Sequence, residues 1–161
     1  MLPTLNLTPD EAQALLLAEG DRLASRLIQH FPVGLHNLER AHLVGRTVAV
    51  TLVEAFLPTA ETITRRLAQP LSLYVSADTR GRPELLAVNR DGEALEHLPV
   101  DELLERALYV RGRLHPQVRA ELVAALQAEN ERGASLALVR LFRLPQVLDA
   151  TRHYLNRYAG R

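Results

Sequence analysis

A chain of 161 residues with 47% apolar side chains can build one core of moderate size and is too apolar for global disorder. Its 19 basic and 19 acidic residues cancel, so no surface-wide field attracts polyanions and any nucleic-acid contact needs a local patch. There is no cysteine, which excludes disulfides and thiolate metal sites, and the uninterrupted apolar runs fall far short of the roughly 20 residues that cross a bilayer.

No basic region followed by an apolar stretch opens the chain, so a cytoplasmic protein without membrane association is expected. Every basic residue is arginine. Selection for bidentate contacts would produce that, and so would a GC-rich coding bias.

The first helix is marked by Thr8 as cap, Pro9 at the first helical position and Glu11 completing a capping box. Leu15, Leu16, Leu23 and Leu27 carry it to about His30, and Pro32-Val33-Gly34 stops it. A second helix is expected over Leu35–Val44, ending near Gly45. Residues 47–50 alternate β-branched side chains and predict a short strand. Thr51 to Phe56 then forms a brief helix, Leu57-Pro58-Thr59 a turn, and Ala60–Gln69 a further helix before Pro70. Leu71, Leu73 and Val75 alternate with polar partners as a half-buried strand. Thr79-Arg80-Gly81-Arg82-Pro83 is a hairpin tip, Glu84–Val88 the return strand, and Asn89–Gly92 a second turn. From Asp101 the pattern is helical: 102–112 after an Asp101 cap, and 116–132 closed by Gly133. A further segment capped by Ser135 runs to Arg143, and a last helix follows Pro145.

In this order, the segment Thr51–Val88 resembles a winged helix-turn-helix. Residues 53–65 resemble the helix-turn-helix of lac-repressor-type bacterial regulators: Val53 at the small-residue position, Thr59 as cap of the second helix, Ile63 as its docking residue. The turn departs from that pattern, with Leu57 for the usual Gly and Pro58 beside it. The resemblance implies a mainly α fold with a small β-hairpin or three-stranded sheet and C-terminal helices. It also implies that Thr62, Thr64, Arg65 and Arg66 face double-stranded DNA in the major groove, with Thr59 at the start of that helix also a DNA-binding residue. Arg80-Gly81-Arg82-Pro83 looks like an AT-hook core, which would put Arg80 and Arg82 in the minor groove.

Three segments are expected: residues 1–34 as an N-terminal helix, 35–98 as the winged-helix-like module, and 99–161 as a helical region. Val147, Thr151, Tyr154 and Tyr158 make an apolar stripe on the last helix, read as the contact of a homodimer. His36, Glu39 and His42 form an HxxExxH pattern, but His36 and His42 diverge by roughly 120° around a helix. No metal or other cofactor is therefore assigned. No Gly-rich phosphate loop is present and no Ser-His-Asp set can be singled out, so an enzyme is not expected. The leading expectation is a dimeric bacterial transcription regulator that binds DNA. The alternative is a non-enzymatic α+β protein-interaction or chaperone-like module.

Overall fold

The computed structural model describes residues 7–31, 35–66 and 71–159. The chain is mostly helical, with one three-stranded antiparallel sheet and a group of C-terminal helices. Helix α1 (Pro9–His30) starts as the sequence dictates: Thr8 Oγ1 accepts from the Glu11 amide at 3.1 Å and Glu11 answers through its carboxylate. The residues 32–34 and 70, read as helix stops, lie outside the described residues.

Helix α2 (Leu35–Arg66) is the central correction. The expected strand at 47–50 and the expected turn at Leu57-Pro58 are both continuous helix, about 48 Å long in all. Ala41, Val44, Val48, Leu52, Val53, Phe56 and Ala60 are all buried, and their spacing keeps one apolar face across both places. Pro58 is tolerated because it sits on the opposite face. Glu54, Ala55, Pro58, Thr59 and Thr62 are all exposed, so the Glu54 carbonyl that loses its donor is left to water. There is thus no helix-turn-helix in this stretch. The segment Leu38–Arg66 is long and apolar enough to cross a membrane by length and composition, yet its apolar face is packed inside the protein.

Gly45, read as a helix stop, is instead where α1 and α2 touch. A Cβ on Gly20 would stand 2.4 Å from the Arg46 Cα, and a Cβ on Gly45 would stand 2.3 Å from the Gly20 carbonyl oxygen. The two backbones approach as closely as glycine permits, with Ala24 beside them.

Strands β1 (Ser72–Ala77), β2 (Pro83–Val88) and β3 (Ala94–Pro99) form a meander with β2 in the middle. The third strand is therefore 94–99 and not 47–50. Both connections share one construction. Asp78 and Asn89 each accept two backbone amides through a side-chain oxygen, at 2.8–2.9 Å and 2.9–3.0 Å. Gly81 (φ 77°) and Gly92 (φ 81°) supply the left-handed residue of each loop. Leu73, Leu85, Ala87 and Leu98 turn one sheet face into the core. Glu61 of α2 fastens β1 by accepting the Leu73 amide at 3.2 Å.

Helix α3 (Val100–Leu108) starts one residue before the expected Asp101 cap and stops short of Gly112. Residues 109–114 make a small hairpin, β4 (Tyr109–Val110) and β5 (Arg113–Leu114), turned by Arg111 (φ 53°) and Gly112 (φ 79°). Helices α4 (Pro116–Gln127), α5 (Glu131–Phe142) and α6 (Pro145–Ala159) complete the chain. Gly133 lies inside the first turn of α5, whose cap is Asn130 rather than Ser135. All three expected segments contribute to one core, in which Phe56 of α2 meets Tyr154 of α6 edge to face at 6.4 Å.

Two substitutions test this geometry by urea or thermal unfolding. Gly45→Ala should lower stability, because overpacking costs about 1–3 kcal/mol and outweighs the helix propensity gained. Pro58→Ala should raise stability by about 1–3 kcal/mol, since it restores a donor inside a continuous helix; a turn at this position would show no such gain.

Candidate functional site

The most concentrated chemistry lies where the first hairpin tip meets α1 and α3. Asp78 caps the tip through the Arg82 and Arg80 amides, and these hydrogen bonds hold its carboxyl below the usual carboxylate range. The loop so formed separates its two arginines. Arg80 is exposed to solvent, whereas Arg82 turns back onto α1.

The Arg82 Nη2 donates to both carboxylate oxygens of Glu19, at 2.6 and 3.0 Å, and its Nη1 lies 3.4 Å from Asp101 of α3. Glu19 is 3% exposed and also accepts from Arg22 at 2.6 Å. Burying a carboxylate so deeply is costly unless it has hydrogen-bonded partners of this kind. Arg26 donates to Glu105 at 2.8 Å and stacks 4.0 Å above the Tyr109 ring. A cleft of about 390 Å³ opens between these elements, lined by Glu19, Arg22, Leu23, Arg26, Arg82, Asp101, Glu102, Leu104 and Glu105. It holds three guanidinium groups against four carboxylates, and its described walls carry no hydroxyl, thiol or imidazole. Such a lining ties elements together and, with more carboxylates than guanidinium groups, offers no cationic cradle.

On the other side of Gly20, Asp21 accepts from Arg46 at 2.7 and 3.0 Å and contacts the His42 Nδ1 at 2.9 Å. The Arg46 hydrogen bond is the main cause of a lowered Asp21 pKa, with His42 adding to it against the opposing effect of burial. His42, from the HxxExxH pattern, is thus engaged with α1. The His36 side chain lies outside the described ones, and no group of three His, Asp or Glu side chains is placed to hold a metal ion among the described residues. A second polar cluster crosses the sheet: Ser76 donates to the buried Glu84 at 3.2 Å, and His97 Nδ1 lies 3.0 Å from the same oxygen.

The residues expected to face DNA are dispersed. Thr64 is fully buried and bonds the Glu61 carbonyl at 2.9 Å, so it does not face outward. Thr59 and Thr62 are exposed but return their hydroxyls to Ala55 and Pro58 of the same helix. Arg65 and Arg66 are exposed at the C-terminal end of α2, Arg65 lying 3.9 Å from Glu61. Cations at that end complement the helix dipole, whereas a recognition helix uses its N-terminal residues. Val147 and Tyr154 are buried in this chain's own core, so they are not an exposed dimer face. The side chains of Thr151 and Tyr158 lie outside the described ones.

Sequence reasoning missed Glu19, although a signal was present. It occupies the slot three after Leu16 and four before Leu23, on the apolar face of α1, where an acid requires a partner. A comparison with protein-family models, with curated proteins and with solved structures returns no match to this chain.

Arg80 and Arg82, two residues apart, should behave differently on denaturation. Arg80→Ala should change stability by under about 0.5 kcal/mol. Arg82→Ala should cost about 3 kcal/mol, the low end for a broken buried pair because Arg22 still serves Glu19. Asp21 gives a pH signature. Its depressed folded-state pKa adds stability above its ordinary value of 3.8, lost as pH falls through the lower folded-state value. Asp21→Asn should therefore lower stability at neutral pH and flatten the acid side of the stability curve.

Proposed function

We propose that the protein is a non-enzymatic α+β protein-interaction module. The observation that carries this reading is where charge is spent and where it is left over. All the charged groups that gather around the cleft except Glu102 form ion pairs, and these hold the hairpin, α1 and α3 together. By contrast, the outward face of α5 presents Leu136 and Val139 in the open, with Arg132, Arg140 and Arg143 exposed and in no ion pair among the described residues. Aliphatic side chains exposed among unneutralised cations suit a partner surface better than a reaction.

Duplex DNA is the second reading, and it rests on Arg65, Arg66 and Arg80. All three are exposed, and Arg65 has only the loose contact to Glu61. Without a helix-turn-helix to carry them, they would act on phosphates rather than on base edges.

Electrophoretic retention of duplex DNA at low ionic strength separates the two. The interaction module should retain DNA no better than an unrelated protein of zero net charge. Salt-sensitive retention that weakens in Arg65→Ala, Arg66→Ala and Arg80→Ala combined would replace it with the DNA reading.

A further inference from the structure

We propose that the outward face of α5 docks an acidic amphipathic helix of a protein partner, a proposal that rests on the interaction-module reading. The helix has two clean sides. Ala134, Ala137, Leu138 and Leu141 are buried, while Arg132, Leu136, Val139 and Arg140 fall within roughly 100° of the opposite side, and the exposed C-cap residue Arg143 follows at the end of the helix. Leu136 is 54% and Val139 45% exposed.

A face kept only for solubility carries both signs of charge. Elsewhere Arg22, Arg26, Arg46, Arg65 and Arg152 each have a carboxylate within 4 Å, while Arg66, Arg80, Arg90, Arg111, Arg113 and Arg119 on other elements are, like the α5 arginines, exposed and in no ion pair among the described residues. The α5 stripe holds three cations and no acid. Arg140 and Arg143 stand three apart, so these two like charges are neighbours and repel, and Leu136 lies between them and Arg132 on the same stripe. That arrangement is relieved by carboxylates supplied from outside.

The details of the stripe select the occupant. A guanidinium fork matches a carboxylate in bidentate fashion. Two aliphatic side chains three residues apart form a short ridge that fits between side chains of a facing helix. Phosphate backbones make no use of such a ridge. A bilayer needs a wider apolar face than one leucine and one valine. The matching partner carries leucines along one stripe with glutamates beside them. The contact is smaller than a standard interface, so binding should be weak, with Kd in roughly the micromolar range or above.

The probe is a synthetic helical peptide of about 20 residues, with leucine at the a and d positions of its heptads and glutamate at e and g. It is titrated into the full chain by fluorescence anisotropy at two salt concentrations. Saturable binding that weakens with salt is expected, together with no binding of the same peptide carrying lysine for glutamate. Arg140→Gln with Arg143→Gln, and separately Leu136→Ser with Val139→Ser, should each weaken binding about tenfold at unchanged melting temperature, because all four side chains are exposed. Arg65→Ala with Arg66→Ala should leave binding unchanged.

Failure of the acidic peptide to bind would overturn the proposal, as would equal binding by the α5 variants. Tighter binding to vesicles of anionic lipid, or self-association abolished by the α5 variants, would also overturn it by naming a different occupant. If the peptide fails and duplex DNA is likewise unretained, only this occupant is lost; retention of DNA through Arg65, Arg66 and Arg80 would remove the broader reading as well.

Discussion

The contact between Gly20 and Gly45 fixes the geometry of everything around it. Backbone meets backbone there, with no room for even one methyl group. The residues on either side of Gly20 are consequently held at set positions. Glu19 faces the hairpin tip and α3, while Asp21 faces α2. One three-residue segment of α1 thus anchors the sheet on one side and the long helix on the other. If the two helices stood further apart, the Asp21 contacts to Arg46 and His42 would lengthen at once.

The two sets differ in kind. The Asp21 cluster lies partly in solvent, where screening and side-chain entropy leave an ion pair little net effect. Glu19 is buried, so its pairing with Arg82 and Arg22 contributes chiefly by avoiding the penalty of an uncompensated charge. Apolar burial provides the larger driving force and the ion pairs specify arrangement. The same hierarchy explains Pro58. A residue that disfavours helix by several kcal/mol in isolation is carried through because Val53, Phe56 and Ala60 pack on the far side.

Features set by local chemistry could be read from the sequence. The Thr8-x-x-Glu11 box, the Asp78 and Asn89 loops with their glycines, and the alternating strand at 71–76 depend on neighbours a few residues away. Features set by distant partners could not. Gly45 is a helix stop or a helix contact depending on whether another helix approaches it. Thr47–Val50 is β-branched enough for a strand, and only the longer period from Ala41 to Ala60 makes it helical. Val147 and Tyr154 form the same apolar stripe whether it meets another chain or Phe56. At the cleft, Arg82 was visible but its burial partner was not, because Glu19 lies 63 residues earlier. The α5 stripe was half legible: arginines such as Arg140 and Arg143 go outward by their own chemistry, but the exposure of Leu136 and Val139 depends on which face α4 and the core occupy.

The carboxylate of Glu61 has a consequence for behaviour at high concentration. Strand β1 lies at an open border of the sheet, where unpaired amides invite a strand from another molecule. By taking the Leu73 amide, Glu61 removes one of those docking points and places a negative charge in the path of an incoming strand. A side chain that fastens a helix to a strand thereby also guards the sheet against growing from one molecule into the next.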